Sequence, residues 1–324
     1  METNQMMSLF LPFLFGFGFV CLLMPFWIKY LKNKDANQEV SIYALEQFQK
    51  KAKTPTFGGF IFILVTLVIT IVYGLMTNTF DQLFILIASL FLFGLIGFID
   101  DYIIVMRHNN EGLSPKAKLL MQIGFACLLV FGSLMQMDTC VNFLKWSIDL
   151  SVLYIPFMVF IFVGSSNAVN LTDGMDGLAA GCSFIVSMGF LAIALHQNAP
   201  QSLLFFIMVL AGSLIGYLVF NRYPAKIFMG DTGSLALGGV FAALAIVLQQ
   251  ELAYVLVGGI FVIETLCCML QIFWVKHFKK RLFIYTPIHY AFTKKGWKET
   301  HTVALFYAVC LCFVIIGVAF AFAC

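Results

Sequence analysis

Acidic residues are sparse in this chain, yet a few gather beside glycines, amides and hydroxyls in short polar runs. Asp100 and Asp101 are adjacent. Asn170, Asp173 and Asp176 recur every third residue within the run from Asn167 to Gly177, and Asp231 leads Thr232-Gly233-Ser234 just after Phe228. Adjacent carboxylates repel each other, so their natural complement is a divalent cation or a basic group. A carboxylate at a helix start suits a metal–phosphate pair, with backbone amides toward the phosphate and Asp231 toward the metal. Gly174 and Gly177 leave backbone open for close approach of a ligand, and Phe228 offers a flat face to a base. Lys50, Lys51 and Lys53 lead into Thr54-Pro55-Thr56-Phe57-Gly58-Gly59. Together these groups describe magnesium-assisted chemistry on a phosphorylated substrate at a bilayer surface.

Each group also has a structural use. Asp173 as an N-cap with Asp176 three residues on is a carboxylate capping box, and Asp231 could cap the next helix. The lysines mark a cytosolic loop and attract anionic lipid, and Phe228 could anchor at the interface. Asp100 and Asp101 read as the end of a span, an unfavourable place for acids. His289, in Thr286-Pro287-Ile288-His289-Tyr290, reads by itself as a loop histidine. Glu264 is the one acid deep within a span, where an unpaired charge costs about 2.5–3.5 kcal/mol. It must be protonated or paired, and a structural role is expected.

The elements that position these residues are membrane helices. Hydrophobic residues make up 61% of the chain and charged residues 11%, with a mean hydropathy of +0.96; soluble domains are about 45–50% apolar and roughly 25% charged. The pattern predicts an all-α, polytopic membrane protein of about ten spans in a single domain, 1–324. They fall near 9–31, 57–76, 83–99, 117–136, 152–166, 177–196, 202–221, 233–248, 252–275 and 303–323. Segment 137–151, with Trp146, is expected to lie in the interface. With both termini outside, every lysine and arginine except Lys145 falls on the inner side, which puts all the polar clusters in the cytosol. Residues 1–8 lack the positive charge of a cleavable signal. The nine cysteines show no metal-like spacing and read as packing residues, as do the Gly212/Gly216 and Gly177/Gly181 pairs. No nucleic-acid partner is expected.

In order along the chain, Thr54 to Gly59, Asp100-Asp101-Tyr102, Asn167 to Gly177, Phe228 to Gly239, Pro287-Ile288-His289 and Gly296-Trp297-Lys298-Glu299 resemble the polyprenyl-phosphate N-acetylhexosamine-1-phosphate transferases. The last two segments resemble the muramoyl-pentapeptide branch. This resemblance implies a bacterial cytoplasmic-membrane enzyme of ten helices, often homodimeric, with a cytosolic active site. It would join UDP-N-acetylmuramoyl-pentapeptide to undecaprenyl phosphate in peptidoglycan synthesis, giving lipid I and UMP with Mg²⁺. By motif position, Asp231 resembles the family's magnesium ligand. Asp100 and Asp101 match the pair assigned to catalysis and to handling lipid phosphate or metal, and His289 matches the first histidine of the final motif. Lys51, Thr56, Asn170, Asp173, Asp176 and Phe228 match residues lining the nucleoside pocket, Phe228 as the uracil-stacking face, with Gln271 a further pocket residue.

Three positions depart from the family pattern. Tyr290 and Ala291 stand where many members carry a second and third histidine. Ile104 stands where many carry a lysine, so Lys116, Lys118 or the 50–53 group must supply that contact to substrate phosphate. The alternatives are a transferase using UDP-N-acetylglucosamine and, in a different class, a transporter or flippase for a lipid-linked solute. Transporters place polar sites near the midplane and often show repeated halves; here the acids sit at one rim and no repeat is evident.

Overall fold

A computed structural model gives the protein's architecture for residues 3–34, 54–107, 112–133 and 139–324. In chain order the elements are α1 (Thr3–Asn33), α2 (Gly59–Thr77), α3 (Phe80–Arg107), α4 (Pro115–Ser133), β1 (Cys140–Phe143), β2 (Trp146–Asp149), α5 (Tyr154–Thr172), α6 (Leu178–His196), α7 (Gln201–Asn221), α8 (Gly230–Val247), α9 (Glu251–Val257), α10 (Gly259–Phe278), α11 (His289–Lys294) and α12 (Glu299–Ala323). Among the described residues ten helices are long and apolar enough to cross a membrane, one for each predicted span.

The bundle is built around α8. Of its apolar window 83% is buried, against 72% for α7, 22% for α4 and 28% for α10, so α8 is the post and α4 and α10 are outer staves. It packs against α2, α3 and α5, while α1 lies along α7. Gly212 and Gly216 admit α1: a Cβ at Gly212 would lie 2.0 Å from the carbonyl oxygen of Phe13. The cysteines are all free, and Cys310 Sγ donates to the Cys182 carbonyl at 3.7 Å.

Four boundaries differ from the sequence reading. The third span does not stop at Asp100; α3 continues two turns to Arg107, whose charge suits a helix C-terminus better than paired acids do. The ninth span breaks at Gly258 into α9 and α10. Segment 137–151 contains an antiparallel hairpin, with Phe143 opposite Trp146 and Leu144 at φ +53° in the turn. Trp146 is exposed there, and Phe143 packs on Phe320 at 5.8 Å between ring centroids. Lastly, α6 begins at Leu178 with Gly177 as its N-cap residue, while Asp173 closes α5. The capping box of Asp173 and Asp176 is therefore not formed.

Candidate active site

One end of the α8 post carries the acids. The Thr54–Gly59 run lies beside the entry to α8: Phe228 N donates to Pro55 O at 2.8 Å, Gly58 N to Phe228 O at 2.8 Å and Gly59 N to Met229 O at 2.9 Å. Trp27 Nε1 fixes the same run by donating to Phe57 O at 3.0 Å. On the other flank α3 crosses α8 at Gly97, where a Cβ would fall 2.0 Å from the Asp231 carbonyl oxygen. That contact is possible only for glycine, and it brings the next turn of α3 onto the first turn of α8.

The two neighbouring aspartates on that turn do different work. Asp101 is buried and turns toward α8. Its Oδ1 accepts from Asp231 N at 3.1 Å, and its Oδ2 accepts from Thr232 N at 2.9 Å and Thr232 Oγ1 at 2.6 Å. The first turn of a helix has unpaired N–H donors; Asp101 caps α8 from another helix, so Asp231 need not. Gly230, at φ +74°, makes room, since a Cβ there would lie 2.4 Å from Asp101 Oδ2 and 2.8 Å from Thr56 Oγ1. Asp100 instead turns toward the start of α4. Its Oδ1 accepts from Leu113 N at 2.8 Å, and its Oδ2 lies 3.2 Å from Lys118 Nζ, which also donates to Asp231 Oδ2. Asp231 Oδ1 accepts from Asn170 Nδ2 at 2.7 Å, and the same amide reaches Ser234 Oγ at 3.0 Å.

Ligand oxygens of Asp100, Asp101 and Asp231 all lie within 4.8 Å of one another. Three carboxylates against one lysine leave an excess of negative charge, and hard oxygen donors are what Mg²⁺ selects. Asp231 and Asp100 fit a cation best, because Lys118 already bridges them; Asp101 has three donors on its two oxygens and less to offer.

The run from Asn170 to Gly177 forms the opposite wall. Asn170 is in the last turn of α5, and Asp173 follows as its C-cap residue. Among the described residues no hydrogen-bond donor reaches the Asp173 carboxylate. Burial, and then the charges of Asp231, Asp101 and Asp176, push its pKa up to about 8. Asp176 is a staple: its Oδ2 accepts from Ala225 N at 2.9 Å and its N–H donates to Glu299 Oε1 at 2.8 Å. Gly177, at φ +79°, donates to Asn221 Oδ1 at 3.0 Å, and its carbonyl accepts from Tyr307 at 2.6 Å. The glycines here serve packing: a Cβ on Gly174 would lie 2.2 Å from His289 Nε2.

Asp100, Asp101, Asn170, Asp173 and Asp231 thus converge, with Thr56 buried beside them and Phe228 half-buried at the α8 entry. Lys51, with Lys50 and Lys53, lies outside the described residues. Lys116 is exposed on α4; Lys118, half-buried on that helix, meets the carboxylates. Gln271 spends its amide on a loop: Oε1 accepts from Leu282 N at 3.0 Å and Phe283 N at 2.9 Å, and Nε2 donates to Phe283 O at 3.3 Å. His289 is buried against Glu264, not among the carboxylates of the cleft. The sequence reading missed Thr232, Ser234 and Glu299, whose partners lie far along the chain.

Residues 83–249 match glycosyl transferase family 4. The chain is 42% identical over 302 residues to the phospho-N-acetylmuramoyl-pentapeptide-transferase of Staphylococcus saprophyticus, covering 91% of this chain and 94% of that protein. Relatives of the same name from Staphylococcus epidermidis, at 41%, and Staphylococcus aureus, at 42%, match over the same shares. Ten membrane helices, a rim of converging carboxylates and similarity along nearly the whole length agree: the chain belongs to glycosyl transferase family 4, among the phospho-N-acetylmuramoyl-pentapeptide-transferases.

Proposed function

We propose that the chain acts as one transferase domain in a bacterial cytoplasmic membrane, with the acid-bearing end toward the cytosol and both termini outside. It transfers phospho-N-acetylmuramoyl-pentapeptide from its UDP-linked form to undecaprenyl phosphate, releasing UMP and forming lipid I. The observation that carries this reading is the meeting of Asp100, Asp231, Lys118 and Asn170 at the mouth of one cleft. Transfer of this kind is mostly positioning and neutralisation of charge.

A lipid phosphate oxygen attacks the sugar-bearing phosphorus, and the bond to UMP breaks. A phosphate monoester with a second pKa of about 6 is largely dianionic at neutral pH, so the nucleophile needs no proton removed. Asp100 then acts through charge: with Asp231 it holds Lys118 at the cleft, where that ammonium faces incoming phosphate. Asn170 orients Asp231, and Asp101 fixes the helix end that carries it. Asp231 with Asp100 would hold Mg²⁺, which would supply charge neutralisation to the transferring group. Thr56, Phe228 and Asp173 line the nucleoside side. The protein works as a homodimer.

The test is UMP release by purified protein with undecaprenyl phosphate and Mg²⁺, offering the muramoyl-pentapeptide nucleotide and UDP-N-acetylglucosamine separately. Turnover of the first alone is expected. Turnover of the second alone would reassign the donor, and lipid-dependent UMP from neither would overturn the reading.

A further inference from the structure

Beneath the Asn170–Gly177 wall lies a carboxylate that the transfer chemistry does not use. Glu264 is fully buried in α10. Its Oε2 accepts from Ile288 N at 2.8 Å, and its Oε1 accepts from His289 N at 3.3 Å and stands 2.9 Å from His289 Nδ1. A carboxylate that only accepts requires the ring hydrogen on Nδ1. Glu264 therefore satisfies the start of α11 from a neighbouring helix and fixes the imidazole ring with the same two oxygens.

The other edge of that ring meets the wall. His289 Nε2 is buried without a partner and packs under Gly174, where a Cβ would come within 2.2 Å of it. The next residue completes the contact: Tyr290 donates its hydroxyl to Gly174 O at 2.8 Å. Burial, and then the charge of Asp173, hold the Tyr290 phenol well above its ordinary range, so it remains a donor. One short helix thus packs against the open face of Gly174, the residue after Asp173, and binds its carbonyl. An apolar residue at 264 would leave three donors of α11 without acceptors, a loss aimed at the placement of this helix.

We propose that Glu264 is a positioning residue for the nucleotide pocket: by holding α11 it presses His289 and Tyr290 against Gly174 and so sets where Asp173 and Asp176 stand. The kinetic half of this inference rests on the transferase reading; the mechanical half does not.

The experiment compares Glu264→Gln, Glu264→Ala and Tyr290→Phe with the native protein by two readouts. The first is hydrogen–deuterium exchange of backbone amides at 174–178 in detergent, alongside global thermal unfolding. The second is kcat and KM for the UDP-linked donor. Loss of one such hydrogen bond predicts exchange faster by about two- to tenfold at 174–178 and a KM raised by a similar factor in Tyr290→Phe, with kcat nearly unchanged. Glu264→Ala does the same more strongly, Glu264→Gln less, and Glu264→Gln with Tyr290→Phe gives less than the product of the two. Unaltered exchange at 174–178 in the Glu264 variants, even with a lower Tm, overturns the proposal. So does a fall in kcat at constant KM. Absence of turnover in the native protein would sink the transferase reading while exchange still decides the contact. If Glu264→Ala does not fold, Glu264→Gln and Tyr290→Phe decide it.

Discussion

Two of the places where this protein buries carboxylates are solved in opposite ways. At Glu264 a carboxylate meets two backbone donors and an imidazole, within a pair that is fully closed to solvent. At the rim, Asp100, Asp101 and Asp231 crowd within 4.8 Å around a single lysine, and both Lys118 and Asp231 retain some exposure. The first arrangement gives both carboxylate oxygens partners within the protein. The second leaves negative charge in excess beside an opening. Burial does not separate the two, since Asp100, Asp101 and Glu264 are all buried. What separates them is whether the protein supplies enough positive partners of its own.

The largest expected effect comes from reducing that excess. Asp231→Ala removes the acid shared by Lys118 and Asn170, and UMP release should fall by about 10³-fold, as for loss of a central electrostatic group. Mn²⁺ binding followed by electron paramagnetic resonance should weaken in parallel; undiminished binding and turnover would show that the excess charge does not mark the site. Asp101 tests the border of the comparison, since it lies in the cluster but is matched with donors as Glu264 is. Asp101→Asn should lower stability by about 0.5–2 kcal/mol, the range for a lost helix cap, and Thr232→Val should reproduce part of the fall in Tm. If Asp101→Asn abolishes Mn²⁺ binding without lowering Tm, Asp101 belongs with the ligands.

The smallest effect concerns Asp173. An acid whose folded-state pKa is raised favours the folded state at low pH and loses that contribution as pH rises; here the window runs from about 4 to about 8. In metal-free protein, Tm should therefore fall between about pH 5 and about pH 8, and Asp173→Asn should flatten that step. An identical fall in the variant would assign the step to another group.

Much of this was legible in the sequence, and the reasons for the rest are specific. Apolar runs located every span, because crossing a bilayer constrains length and composition together. The end of α3 was misplaced because hydropathy drops at Asp100, whereas the helix continues for as long as its backbone bonds do. The choice between Lys116 and Lys118 depended on register. Ser114 Oγ accepts from Ala117 N at 3.2 Å and starts α4 there, yet which face turns inward is decided by α3 and α5. Asp101 and Thr232 stand 131 positions apart, and nothing local to either predicts the cap that joins them. Gln271 and Glu264 were both visible as polar residues in an apolar helix, but their partners sit in the loop that folds back upon them.

The burial of α8 has a consequence for life in a changing membrane. Shifts in bilayer thickness or lateral pressure act on surfaces that touch lipid, such as those of α4 and α10. Asp231, at the head of α8, is hung from the most buried of these helices, so growth temperature and lipid composition can tilt the outer wall while the seat of that carboxylate is kept. Asp100 and Asp101 ride on α3, which packs against α8, whereas Lys118 rides on α4, the least buried of the described spans. Its grip on Asp100 and Asp231 is the point through which the state of the bilayer would tune the site.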